Sequence, residues 1–120
     1  MADRVLHIGW DRPIAGREER GLEVFNDALG LYGRMQQDGR IESFDVVLFD
    51  PNGGPNGYME LRGTSGQLSA VRADEEFRRV TIDAALVVEN LRLIDGVCNE
   101  GIAREMALYQ DALTNVAQSV

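Results

Sequence analysis

The chain has a single histidine, His7, inside a short apolar stretch near its start, and Tyr58, Glu60 and Arg62 alternate along a second such stretch. An imidazole, a carboxylate, a phenol and a guanidinium on one surface suit proton transfer to a ligand held as an anion or a phenol. A carboxylate beside an imidazole orients the ring and favours its protonated form, so His7 and Glu60 are the expected acid/base pair. Tyr58, Arg62 and Arg92 are the expected ligand-binding groups. The five can cooperate only if the elements that carry them turn their side chains to one face.

Val5 to Trp10 alternates and is rich in strand formers, so it reads as a strand. Between Arg17 and Asp38, Leu22, Phe25, Ala28, Leu29, Tyr32 and Met35 recur at spacings of three and four, the apolar face of a helix. Acids in its first half suit the helix dipole, Gly39 is placed to end it, and close approach to a sheet would explain Gly21, Gly30 and Gly33. Ile41 to Phe49 is a second strand and Tyr58 to Arg62 a third. Asp50 to Gly57, between them, is turn chemistry; no Gly-Lys-Ser/Thr follows to make it a phosphate cradle. Ser65 to Arg72 is a short helix. Asp74 can cap another that carries Phe77, Val80, Thr81, Ala84, Ala85 and Val88, with Asn90 as a left-handed stop. Leu91 to Cys98 is the fourth strand, and Asn99 is placed to cap a final helix bearing Ile102, Met106, Tyr109, Leu113 and Val116 on one side. The order is βαββαβ plus a C-terminal helix: an α+β, ferredoxin-like antiparallel sheet in a single domain, 1–120.

In that plan the first and third strands are antiparallel neighbours, and aligned ends set His7 opposite Glu60. Leu6, Ile8, Trp10, Met59 and Leu61 then face the helices, joined by Leu91, Leu93 and Val97. Val5, His7, Gly9, Tyr58, Glu60 and Arg62 face the other way, with Arg92, Ile94, Gly96 and Cys98. The second strand is apolar on both faces, which argues that the polar face is not simply open to water.

Composition excludes several classes. A net charge of −8 argues against nucleic acid and anionic membranes as partners. No apolar run approaches the ~20 residues of a membrane span, and no secretory signal opens the chain. All twelve basic residues are arginine, which reflects genomic composition unless they cluster around an anion. One cysteine and one histidine cannot build a structural zinc site, and an acid-rich metal site stays open; neither a metal nor a cofactor is assigned from the sequence. A lone thiol suits the cytoplasm.

Four stretches carry a resemblance: Gly16-Arg17-Glu18, the run from Tyr32 to Phe44, Leu61-Arg62-Gly63, and Asp74-Glu75-Glu76-Phe77-Arg78-Arg79. Through them the chain resembles the dimeric α+β barrel superfamily, in which two ferredoxin-like protomers set their sheets face to face, and within it a group of small uncharacterised bacterial proteins. The resemblance implies a homodimer. Members of the superfamily include cofactor-free monooxygenases acting on polycyclic phenols, lactone isomerases, dehydratases and haem-processing enzymes, with pockets between sheet and helices or within the barrel. None of their catalytic motifs matches this chain residue by residue, so the resemblance leaves the chemistry open.

Two functional expectations follow. One is a small-molecule enzyme of the monooxygenase or isomerase kind, with a pocket on the polar sheet face, His7 as acid/base and a small organic ligand. The other is a non-catalytic dimeric module that binds a small ligand or a protein partner, its polar face serving as solvated ion pairs or as a dry interface.

Overall fold

Alternating burial along β3 (Gly57–Gly63), with Met59 and Leu61 buried and Tyr58, Glu60 and Arg62 half-exposed, separates two sheet faces. In the computed structural model, which describes residues 1–116, β3 lies between β2 (Ser43–Leu48) and β1 (Arg4–Trp10), and β4 (Arg92–Val97) flanks β1 on the other side. All three pairings are antiparallel. The register sets His7 opposite Glu60, as the aligned ends require. One face is covered by α1 (Glu18–Gln37), α2 (Ser65–Ala73) and α3 (Glu75–Ala85) over a core of Leu6, Ile8, Leu31, Tyr32, Met35, Met59, Leu61 and Phe77. No helix covers the other face among the described residues.

The helices begin and end where local chemistry dictates. Thr64 and Gln67 form a reciprocal capping box at the start of α2. Asp74 accepts from the Phe77 N–H at the start of α3, and that bond, with help from Arg40, holds its carboxyl below the ordinary range. Gly39 after α1 and Asn90 before β4 both have positive φ, as their residue types favour. The Asp50–Gly57 connection is tied by Asn52, whose side chain accepts from the Gly54 N–H and donates to the Asp50 and Pro55 carbonyls. Gly57 is the exception to its exposure. It is buried, and a Cβ there would stand 2.5 Å from the Val47 carbonyl oxygen.

Several sequence expectations need correction. The buried stripe of α1 runs through Val24, Ala28, Leu31, Tyr32 and Met35, which leaves Leu22 exposed on the flank. No close backbone approach explains the glycines of α1, since added Cβ atoms at Gly21 and Gly33 would meet nothing within 4 Å. Ile41 precedes β2; its N–H donates to the Met35 carbonyl, and its side chain is buried beneath α1. Asn99 does not cap the last helix through its side chain: its φ is +50°, and its amide donates to the Ala2 carbonyl.

The last helix, α4 (Glu100–Thr114), does not lay its apolar stripe on the core. Only Gly101 is buried, tight against the Asp3 backbone, and Met106 is half exposed. The helix leaves the β4 edge and projects. A radius of gyration of 17.1 Å, against roughly 13–14 Å for a compact chain of this length, reflects that projection. No helix among the described residues is long and apolar enough to cross a membrane.

Candidate functional site on the open sheet face

The open face is a grid, because opposed residues on antiparallel strands share a side. Reading from β2 to β4, one row is Asp45, Glu60, His7 and Ile94. The next is Val47, Tyr58, Gly9 and Arg92. All five side chains singled out in the sequence lie on this face and contact one another or a shared neighbour.

His7 Nδ1 lies 2.9 Å from Glu60 Oε2, with the two side chains 27% and 25% exposed. Glu60 Oε1 accepts from Arg62 Nη2 at 3.1 Å, and Arg62 Nη1 donates to Asp45. The Asp45 carboxylate raises the pKa of the Arg62 guanidinium, which stays charged. Asp45, Arg62, Glu60 and His7 thus form one chain of bonds that fixes the imidazole from the Nδ1 side. The Tyr58 ring lies 5.0 Å from the His7 ring, tilted 32°. On its far side Tyr58 meets Phe49 at 5.9 Å.

The other imidazole nitrogen has no hydrogen-bond partner among the described residues. It leans over Gly9. A Cβ at Gly9 would stand 2.9 Å from His7 Nε2 and 3.2 Å from Arg92 Nη2, so the missing side chain is what lets the two groups converge. Arg92 is held from behind: Nη1 donates to Asp11 Oδ1 at 3.1 Å and to the Asn90 carbonyl at 2.9 Å. Asn90 also donates to Asp11, and these hydrogen bonds lower the pKa of the Asp11 carboxyl. The Nε and Nη2 groups of Arg92 make no hydrogen bond among the described residues and point toward Gly9. The product is a notch floored by Gly9 and walled by His7, Tyr58 and Arg92. An unpaired imidazole nitrogen and a guanidinium edge both open into it.

Sequence reading placed Gly9 on this face without a role and did not identify Asp45, Asp11 and Asn90 as anchors. The alternation of β2 carried a signal for Asp45. Asp11 and Asn90 are 79 residues apart and meet just beyond the β1–β4 pairing, where the Asp11 N–H donates to the Glu89 carbonyl.

No protein-family model matches the sequence, and no curated protein matches it. Solved structures do. A dimeric protein of unknown function and ferredoxin-like fold from Bacteroides fragilis superposes with a TM-score of 0.60 at 16% identity, covering 79% of this chain and 96% of that one. The chain has the ferredoxin-like α+β fold. A hydroxynitrile lyase from Passiflora edulis shares it at a TM-score of 0.62 and 13% identity, over 83% of this chain and 97% of that one. So does SnoaB, a cofactor-independent oxygenase from Streptomyces nogalater, at 0.51 and 14%, over 82% and 93%.

In this ferredoxin-like chain a second concavity lies on the opposite side of the sheet. A cavity of about 70 Å³ separates the sheet from α1 and α3. Its lining, which includes Ile8, Trp10, Phe25, Tyr32, Met59 and Val88, is almost wholly apolar. Burial pushes the Tyr32 phenol above its ordinary range, which keeps it neutral. The cavity is less than half the ~150 Å³ that admits a benzene ring, and it contains no group ready to move a proton. Its residues lie on the apolar faces of their strands and helices, and a void between such faces leaves no trace in periodicity.

Proposed function

We propose that the chain works as a homodimer whose sheet faces close over the notch at Gly9, and that it is a small-molecule enzyme of the cofactor-free monooxygenase or isomerase kind. The observation that carries this reading is the 2.9 Å contact between His7 Nδ1 and Glu60, which leaves Nε2 turned toward the notch beside unused Arg92 donors. A carboxylate on one ring nitrogen fixes the tautomer that presents the other as a base. His7 Nε2 takes a proton from an O–H or acidic C–H of the ligand. Arg92 pairs with the anion so formed, and Tyr58 lies along the ligand ring. Returning the proton to a different carbon is isomerisation. In an oxygenation, a CH2 carbon made electron-rich by the phenolate bonds to dioxygen as a hydroperoxide. The hydroperoxide loses water as its O–O and remaining C–H bonds break to leave a carbonyl, so the substrate supplies both electrons. Glu60 and Arg62 act through His7 as positioning residues.

Support for the dimer comes from the open face, where Phe49 and Ile94 are exposed among the charges, and from the dimeric protein of the same fold. Closing two such faces over the notch would exclude water and strengthen every charge interaction within it. The lone Cys98 fits a cytoplasmic setting.

The test is turnover. Wild type and H7A are incubated with polycyclic phenols and lactones in air, products are followed by mass spectrometry, and assembly by sedimentation. Conversion by wild type that falls at least a hundredfold in the H7A dimer supports the assignment; equal rates overturn it. A second reading, a non-catalytic dimeric module, draws on the mutual satisfaction of Asp45, Arg62 and Glu60, which is what a dry interface demands. It gains if wild type converts none of the panel.

A further inference from the structure

The Arg92 guanidinium is committed on one nitrogen and free along one edge. Its Nη1 donates to Asp11 Oδ1 at 3.1 Å and to the Asn90 carbonyl at 2.9 Å, which uses both N–H bonds of that nitrogen. Asn90 donates to Asp11 Oδ2 at 2.8 Å, so the anchor is itself fixed. Nε and Nη2 make no hydrogen bond among the described residues, and one N–H of each leaves the guanidinium side by side. That edge, and not the Nη1–Nη2 tip, is turned to the space over Gly9. Nη2 and Nε stand 3.2 and 3.5 Å from the point a Gly9 Cβ would occupy, and Nη1 lies farther off. His7 Nε2 is 2.9 Å from the same point.

We propose that the substrate is a flat carboxylic acid whose carboxylate binds both donors of the Nε–Nη2 edge of Arg92. The proposal rests on the reading of the notch above and deepens it by naming the substrate class. A carboxylate has two coplanar oxygens that match that edge, so both bonds form at once. A phenol offers one oxygen and leaves a donor unmet. It is also neutral at pH 7, with an ordinary pKa of ~10, whereas a carboxylate arrives charged. The rest of the notch favours a flat monoanion over phosphate. Tyr58 supplies a ring against which a plane can lie. Glu60 on the far side of His7, Asp11 behind Arg92 and a net charge of −8 all weigh against a dianion. Because His7 Nε2 borders the same point as the edge, the hydrogen it removes belongs to an atom close to the carboxyl carbon. An ortho-hydroxy aromatic acid has that arrangement, its hydroxyl proton passing to Nε2 while its carboxylate stays on Arg92.

The test titrates 2-naphthoate, 2-naphthol and 2-naphthamide, three flat ligands of one ring system, into the isotope-labelled full chain. NMR follows the Arg92 Nε–H together with the His7 ring. Wild type should bind 2-naphthoate about tenfold or more tightly than either neutral analogue, with the Arg92 Nε–H proton moving downfield as the carboxylate engages it. Arg92→Lys keeps the positive charge and removes the edge, so it should erase most of that preference. Two results overturn the carboxylate and leave the notch standing: 2-naphthol shifting the His7 ring with equal affinity, or an Arg92 Nε–H unmoved at saturating 2-naphthoate. Displacement of 2-naphthoate by equimolar inorganic phosphate, or a preference undiminished in Arg92→Lys, overturns it as well. No shift of the His7 ring with any of the three at millimolar concentration overturns both this proposal and the notch.

Discussion

His7 and Gly9 stand two positions apart on the same face of β1, and the imidazole Nε2 lies 2.9 Å from the point a Cβ on Gly9 would occupy. The ring therefore lies along its own strand above the glycine, between Tyr58 on one neighbouring strand and Arg92 on the other. One missing side chain makes the notch. Glu60, itself held by Arg62, sets which nitrogen faces it.

Gly9→Ala should displace the His7 ring and leave the fold intact, because the clash is with the far end of a side chain and not with backbone. His7 ring resonances should move markedly in NMR spectra, while the thermal midpoint shifts by a few degrees at most. A large loss of stability with an unmoved ring would mean that Gly9 is needed by the backbone.

Glu60→Gln should change the His7 tautomer. Wild type donates Nδ1–H to the carboxylate and leaves Nε2 bare when the ring is neutral. An amide offers either a donor or an acceptor and no longer dictates the choice. Nitrogen-15 spectra of the neutral ring should show a wild-type population concentrated in the Nδ1–H form and a mixed one in E60Q. Equal tautomer populations in both would sever the link between the two residues.

Asp74 gives a pH dependence of definite sign. Its folded pKa lies below the unfolded value of ~3.9, so its stabilisation is fully present above ~pH 4 and is lost as pH falls through the lowered folded value. D74A should cost about 1 kcal/mol near neutrality through the lost cap on α3. In denaturant titrations the gap between D74A and wild type should narrow below ~pH 4; a constant gap would show that the carboxylate is not what caps.

Two glycines should respond oppositely to alanine. Gly33 is helical with open space around its Cβ position, so Gly33→Ala should stabilise by about 0.5–1 kcal/mol. Gly57 meets the Val47 carbonyl and the Trp10 ring, so Gly57→Ala should destabilise by about 1–3 kcal/mol. Urea midpoints of the two variants falling on the same side of wild type would contradict the packing described.

The sheet was legible because its residues alternate strictly: Leu6, Ile8 and Trp10 against His7 and Gly9, and Met59 and Leu61 against Glu60 and Arg62, leave one self-consistent register. The cap at Asp74 and the turn at Asn90 were legible from local chemistry alone. What the sequence hid was non-local. The Leu22 error is one of phase, since a helix rests on its sheet at an angle that only packing decides. The exposure of Met106 was hidden because an apolar stripe looks the same whether it meets its own core or another chain. The anchoring of Arg92 and Asn90 by Asp11 depends on segments brought together across most of the chain. His7, Glu60, Tyr58, Arg62 and Arg92 could be named in advance because parity alone places them together.

The central claim is that a small anion or phenol sits over Gly9 against His7 Nε2. Titrating 1-hydroxy-2-naphthoate, which carries both a phenol and a carboxylate, into isotope-labelled protein tests it most directly by NMR. The account predicts saturable shifts of the His7 ring and the Gly9, Tyr58 and Arg92 amides, abolished in H7A and R92A variants that keep the fold. Shifts confined to Trp10, Phe25 and Tyr32 across the sheet, or none at millimolar ligand, would contradict it.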